Sequence, residues 1–328
     1  MKPIRIIWGW IALMATSCTS LQEVSLDVMQ PAPVTLPVYA RSVAVAAVTA
    51  PETKIEGQYR DPYGRIEKLD FDTAVDVSGL VARNTAKAMR NARYFSRTEL
   101  CNPVPAASPV KAIKDSTAAS VVLLLDSVVL HPMLTDYGHN DWGYLVSEFR
   151  IKGDLFFTLY IGDDEPPQTW VISDSIRWES FGTTPENRYH AIPEIGRCLN
   201  EFAQYAGYCT VRQFVPESRQ ADRFYFKTSS SLMKDAHRYW QTGQYDEASY
   251  LWEYLYETGK SDFSKAMAAA NLALYCELCD NFIQAREWVK VSIALFGPET
   301  EGGKRMTAYL QEIEQRIADE EHLRFQLL

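Results

Sequence analysis

The sequence predicts an α+β chain: an N-terminal mixed α/β domain containing an antiparallel hairpin, followed by an all-α helical-repeat domain. Three observations carry this expectation. Residues 145–161 and 170–179 alternate apolar and polar side chains, the period of a strand with one buried face. Val121, Val122, Leu123, Leu124 and Leu125 are consecutive, as expected of a strand covered on both faces. From residue 229 onward alanine and aromatic residues recur at three- and four-residue spacing, the period of packed helices.

The chain begins with an export signal. Lys2 and Arg5 form a positive start, residues 6–14 are apolar, and Ala15, Thr16 and Ser17 are the small residues of a cleavage site. The apolar stretch is shorter than the roughly 20 residues that span a bilayer. Cys18 follows directly, and Ala-Thr-Ser-Cys resembles the lipobox of bacterial lipoproteins. That resemblance implies cleavage after residue 17 and lipidation of Cys18 with diacylglyceryl and acyl chains such as palmitate. Residues 18–40 are then a lipidated N-terminus and first strand, in which Val24, Leu26 and Val28 share one face.

The α/β domain is expected over residues 41–215. Residues 42–49, rich in Val and Ala, read as a short buried strand, and 51–70 as a polar loop. Helices are expected over 73–94, over 109–116 with Ser108 as N-cap and Pro109 at the first position, and over 193–212. Asp163, Asp164 and Glu165 mark a solvated hairpin tip.

The repeat domain is expected over residues 226–328, folding alone because repeat contacts are local. Ala236, Tyr239, Gly243, Tyr245, Ala248 and Trp252 resemble a tetratricopeptide repeat: small residues let two antiparallel helices approach, aromatics fill the space, and Gly turns the chain. A second copy runs through Ala273, Cys276, Phe282 and Ala285, with Asp280 in place of the turn Gly. Residues 302–325, with Met306, Leu310, Ile313 and Ile317 as a stripe, read as a capping helix. A lipobox, the Pro31–Pro37 stretch, a mixed α/β domain and a helical-repeat tail together resemble a family of Bacteroidota lipoproteins of unknown function. The resemblance spans the chain and supplies no catalytic residues.

The formal charge of −9 opposes nucleic-acid binding, since phosphates demand a basic surface. The five cysteines besides Cys18 are scattered, which excludes a dense disulfide framework. Cys276 and Cys279 have redox spacing but lie within a helical pattern, where buried packing is expected. His131, Asp136, His139 and Asp141 fall in one segment, read as a loop, without metal-ligand spacing. No nucleophile elbow, zincin motif or phosphate loop is present, so neither an enzyme, a metal nor a cofactor is expected.

The expected role is that of a membrane-anchored envelope lipoprotein, facing the periplasm from the outer membrane. Its repeats would receive an unidentified envelope protein in their concave groove. Tyr239, Trp240, Tyr250, Trp252, Tyr254 and Tyr256 crowd two short helices that cannot turn all of them inward. Trp240, with Tyr239, Tyr250, Tyr254 and Tyr256, is therefore the expected partner site. The alternatives are a structural subunit acting through the α/β domain, or an envelope hydrolase with a site assembled from distant residues.

Overall fold

A computed structural model describes residues 20–49, 52–105, 110–162 and 165–327. The signal segment, Cys18, the Ser108–Pro109 cap and Asp163–Asp164 lie outside the described residues. The expected α+β class holds: a mixed sheet with helices precedes a run of five helices. The chain divides into two compact units, one containing Pro31–Glu217, the other the first strand and Ser218–Leu323.

The α/β unit is built around two strands, β2 (Ser42–Ala47) and β6 (Val121–His139). Between β2 and β6 come β3 (Thr53–Arg60), β4 (Ile66–Val75), α1 (Val77–Ala92), β5 (Arg97–Leu100) and α2 (Val110–Thr117). After β6 come β7 (Leu145–Ile161), β8 (Gln168–Gly182), a short 3-10 turn over Pro185–Asn187, and α3 (Ile195–Val211). β2 pairs in parallel with β5 and with the first part of β6, while β3 pairs in parallel further along β6 at Met133–Thr135. The other edge of β6 is held by antiparallel β7, and β7 by β8.

This arrangement explains the apolar run in β6. Val121, Leu123 and Leu125 join Val43 and Val45 in the core that α1 and α3 complete. Val122 and Leu124 point the other way and pack with Ala44, Ala46 and Ile113 of α2. Beyond a bulge between Leu125 and Ser127 the second face is open, and β6 continues with one covered face. α1 starts at Asp76, whose side chain accepts from the Gly79 amide at 2.8 Å, and stops at Arg93 in the left-handed region. α3 approaches the sheet closely: a Cβ built on Gly153 of β7 would lie 2.2 Å from Phe202 Cζ.

The described part of the expected loop, residues 52–70, is not a loop. They form most of the β3–β4 hairpin, which buries only Ile55 among its apolar side chains and so carries a weak hydrophobic pattern. β6 also runs to His139, so the expected histidine loop is largely strand; only residues 140–144 form the turn to β7.

In the second unit β1 (Ser20–Gln30) pairs with β9 (Glu217–Lys227). The first strand therefore belongs to the helical unit and not to the α/β sheet. The helices are α4 (Ser231–Gln241), α5 (Tyr245–Thr258), α6 (Asp262–Leu278), α7 (Phe282–Phe296) and α8 (Glu301–Gln326). The repeat positions are met physically. Ala236, Ala248, Ala273 and Ala285 are all fully buried, and Trp252 fills the space beside the first pair. Gly243 turns α4 into α5 at φ 76°, and Asp280 takes the equivalent left-handed turn at φ 55°. Met306 and Ile313 of α8 close the end of the same core. Leu26, Val28, Tyr225 and Phe226 also belong to that core, so residues 226–328 are only part of the folded unit.

Candidate functional site

Two buried polar centres organise the molecule, and neither was visible as a sequence motif. In the helical unit, Glu277 stands in the last turn of α6 with its side chain fully buried. Arg223 of β9 donates to it twice, from Nε at 2.8 Å and Nη2 at 2.9 Å. Tyr309 and Arg316 of α8 donate at 2.7 and 2.9 Å. Arg223 Nη1 also meets Glu312. One carboxylate thus joins β9, α6 and α8. Burial, with Glu277 beside it, pushes the Tyr309 hydroxyl well above its usual range.

Nearby, Asn271 of α6 grips the main chain of β9. Its Nδ2 donates to the Phe226 carbonyl at 2.8 Å, and its Oδ1 accepts from the Phe226 amide at 2.7 Å. Tyr225 donates to or accepts from His237 Nδ1 at 2.7 Å and packs its ring 5.5 Å from Trp240. The faces of α4 and α6 that would line a repeat groove therefore hold β9. Residues 266–274 of α6 are buried without interruption. The expected open groove is filled by the chain itself.

The six aromatics expected to crowd these helices divide accordingly. Trp240 is buried, contrary to expectation, with ring centroids 4.7 Å from Tyr245 and 5.3 Å from Trp252. The reason is helical pitch: Met233, Ala236, His237 and Trp240 fall at i, i+3, i+4 and i+7, one inward stripe. Tyr239, one position away, is half-buried on its shoulder. Tyr256 is half-buried against Trp288 at 5.0 Å. Tyr250 and Tyr254, one turn apart on α5, remain 67% and 47% exposed. The exposed Glu247, Glu253 and Glu257 flank them on the same helix.

In the α/β unit, Asp136 near the end of β6 is buried at the meeting of four segments. It accepts from Ser147 Oγ at 2.6 Å, Tyr59 at 2.8 Å, Tyr189 at 2.9 Å and Arg188 Nη1 at 2.5 Å. Burial pushes its pKa up, but the three hydroxyl donors and the Arg188 charge more than reverse this, holding the carboxyl below its usual range. Tyr59 is raised in turn by its hydrogen bond to Asp136. The centre staples β3 and the 3-10 turn to the β6–β7 hairpin.

His131 points to the open sheet face and does not meet Asp136. Its Nε2 lies 3.1 Å from Asp154 Oδ2, and Ser173 Oγ donates to Asp154 Oδ1. The carboxylate thus sits between hydroxyl and imidazole, and nothing here deprotonates Ser173; nucleophile activation needs the hydroxyl against the imidazole. His139 and Asp141 are exposed near the turn. Among the described residues no group of three or more His, Cys, Asp or Glu could hold a metal ion.

Two buried thiols are held in the protonated form. Burial pushes Cys276 up to about 11 and Cys198 up to about 12, leaving little thiolate at neutral pH. Cys279 is exposed at the α6 C-cap. No described helix is long and apolar enough to cross a membrane.

Two sequence families match. A domain of unknown function, DUF6340, matches residues 234–315, which cover α4 to α7 and much of α8. No curated protein matches the chain. A second domain of unknown function, DUF8603, matches residues 44–226, from β2 through nearly all of β9. Since that match takes in more than half of the sequence, the chain belongs to the DUF8603 family.

Proposed function

We propose that this protein is a membrane-anchored envelope lipoprotein, lipidated at Cys18, that works as a non-catalytic binding or scaffold module. The observation that carries the binding role is the exposed Tyr250–Tyr254 pair on α5. Tyrosine offers a large amphipathic surface at little entropic cost, and it is enriched where binding energy concentrates. Glu247, Glu253 and Glu257 make the rim acidic. The fitting partner is an envelope protein that sets an apolar contact among basic side chains, gaining cation–π and charge contacts at once. The outer membrane, periplasmic side, is the proposed location.

The test compares the Tyr250→Ala/Tyr254→Ala variant with wild type in capture from solubilised envelopes. Lost capture with an unchanged melting temperature supports the reading. Capture retained by this variant, and lost instead on His131→Ala/His139→Ala, refutes it. Membrane anchoring is tested separately: Cys18→Ala releases the protein into the aqueous phase of a detergent separation, while wild type stays in the detergent phase.

A further inference from the structure

Among the described residues the seven-stranded sheet has three edge strands, β4, β5 and β8. An edge presents unpaired N–H and C=O groups, and proteins blunt it with short strands, bulges, proline or charge. β5 is only four residues long. β4 is broken by Asp72 at φ 48°, pairs irregularly with β3, and carries the Lys54–Asp70 and Lys68–Glu56 ion pairs on that hairpin. β8 is long and regular, and of these devices it carries only charge, with Arg177 paired within the chain to Glu179 at 3.5 Å and Glu148 at 3.9 Å. It runs 15 residues without proline, and it matches β7 at every position from Gln168 to Gly182 with no register shift. Its backbone makes no main-chain hydrogen bond outside that ladder among the described residues.

The side chains of β8 say what would cover it. On the open face Arg177 and Glu179 are two residues apart. A second β8 running antiparallel about Trp178 sets Arg177 opposite Glu179 of the other copy, and Glu179 opposite its Arg177. The same register sets Asp174, which accepts from Tyr205 of its own chain at 2.7 Å, opposite Gly182. Sliding to a register centred on Ser175 would set Arg177 opposite Ser173 and Glu179 opposite Val171, losing the charge match. We propose that β8 joins β8 of a second copy in this antiparallel register, making one continuous sheet with the helices on a shared side. The two Trp178 rings, each stacked on its own Phe149 at 5.7 Å, would then adjoin across the two-fold axis.

The experiment measures the mass of the purified full chain in detergent by sedimentation between about 1 and 100 µM, a range suited to modest interfaces. Wild type should show a concentration-dependent dimer. Arg177→Glu or Glu179→Arg alone places like charges opposite each other twice by symmetry, and each should weaken the dimer about ten-fold or more. The double variant Arg177→Glu/Glu179→Arg restores the pairs and should restore the dimer. Thermal melts of all three confirm that they fold. A monomer across the whole range overturns the proposal. So does a dimer that ignores the single reversals or that the double variant fails to restore.

Discussion

Removing the Glu277 carboxylate should destabilise the helical unit more than any surface charge change. Glu277→Ala leaves Arg223 and Tyr309, each less than a tenth exposed, and the mostly buried Arg316 without their common acceptor. Breaking a buried ion pair from one side costs about 3–5 kcal/mol, and an unsatisfied buried hydroxyl about 1–3 kcal/mol. Some of this is recovered. Arg223 keeps Glu312 and the Asp222 carbonyl, and Arg316 keeps Asp280 at 3.7 Å and the Phe282 ring at 4.3 Å. The expected net loss is about 4 kcal/mol. The assay is urea unfolding followed by far-UV circular dichroism, which α4 to α8 dominate. Arg223→Met keeps the aliphatic packing and removes the two-point bond together with the contacts to Glu312 and the Asp222 carbonyl. The cycle combining it with Glu277→Ala should give a coupling of about 2–3 kcal/mol, since the second change finds the bond already gone. A loss under about 1 kcal/mol for Glu277→Ala, or additive single effects, would refute the assignment of Glu277 as the centre of this network.

Three further outcomes are expected. Asp136→Asn should cost about 2–3 kcal/mol by weakening the bonds to Arg188 and three hydroxyls, read by chemical denaturation. The native Asp136 carboxyl titrates below its unfolded value of about 4, so its contribution is full above that pH and fades as pH falls through the lower native value. Wild type should therefore lose its advantage over Asp136→Asn on acidification below about pH 4. Gly153→Ala should lower stability by about 1–3 kcal/mol, because the new methyl meets the Phe202 ring and α3 must shift; an unchanged melt would mean that α3 lies further from β7. A segment beginning at Phe226 should show less helix by circular dichroism than one that also carries β1 and residues 218–225, because the shorter one leaves Glu277 without Arg223 and uncovers Trp240 and Trp252.

What the sequence reveals depends on whether a residue's environment is made by near neighbours. The repeat helices were legible because the Ala236–Ala248 and Ala273–Ala285 contacts join adjacent helices, and the 3.6-residue period marks their faces. β7 and β8 were legible because one face of β7 is steadily buried and the matching face of β8 packs, half-buried, against the same core. β3, β4 and β9 were not, since charged or polar residues dominate their sequences, and β9 also pairs with a strand almost 200 residues earlier. The buried centres were hidden for the same reason, each drawing on several separate segments. A weaker signal did exist. α6 is apolar along most of its length, so Asn271 and Glu277 inside it had to find buried partners, although nothing local says which.

The placement of Asn271 also decides which repeat surface is left for a partner. A side-chain amide that donates to one main-chain carbonyl and accepts from the amide of the same residue is how a helix face reads an extended segment. Here that segment is β9, fixed further by the Arg223–Glu277 bond and by Tyr225 among His237, Trp240 and Trp252. An incoming peptide would have to replace a bidentate buried ion pair, two main-chain hydrogen bonds and an aromatic cluster, all of which are already intramolecular and so carry no association entropy. The inner face is thus committed to folding. Binding through the repeats is left to their outward helix faces, where Tyr250 and Tyr254 stand on α5 with no role in the core to explain them.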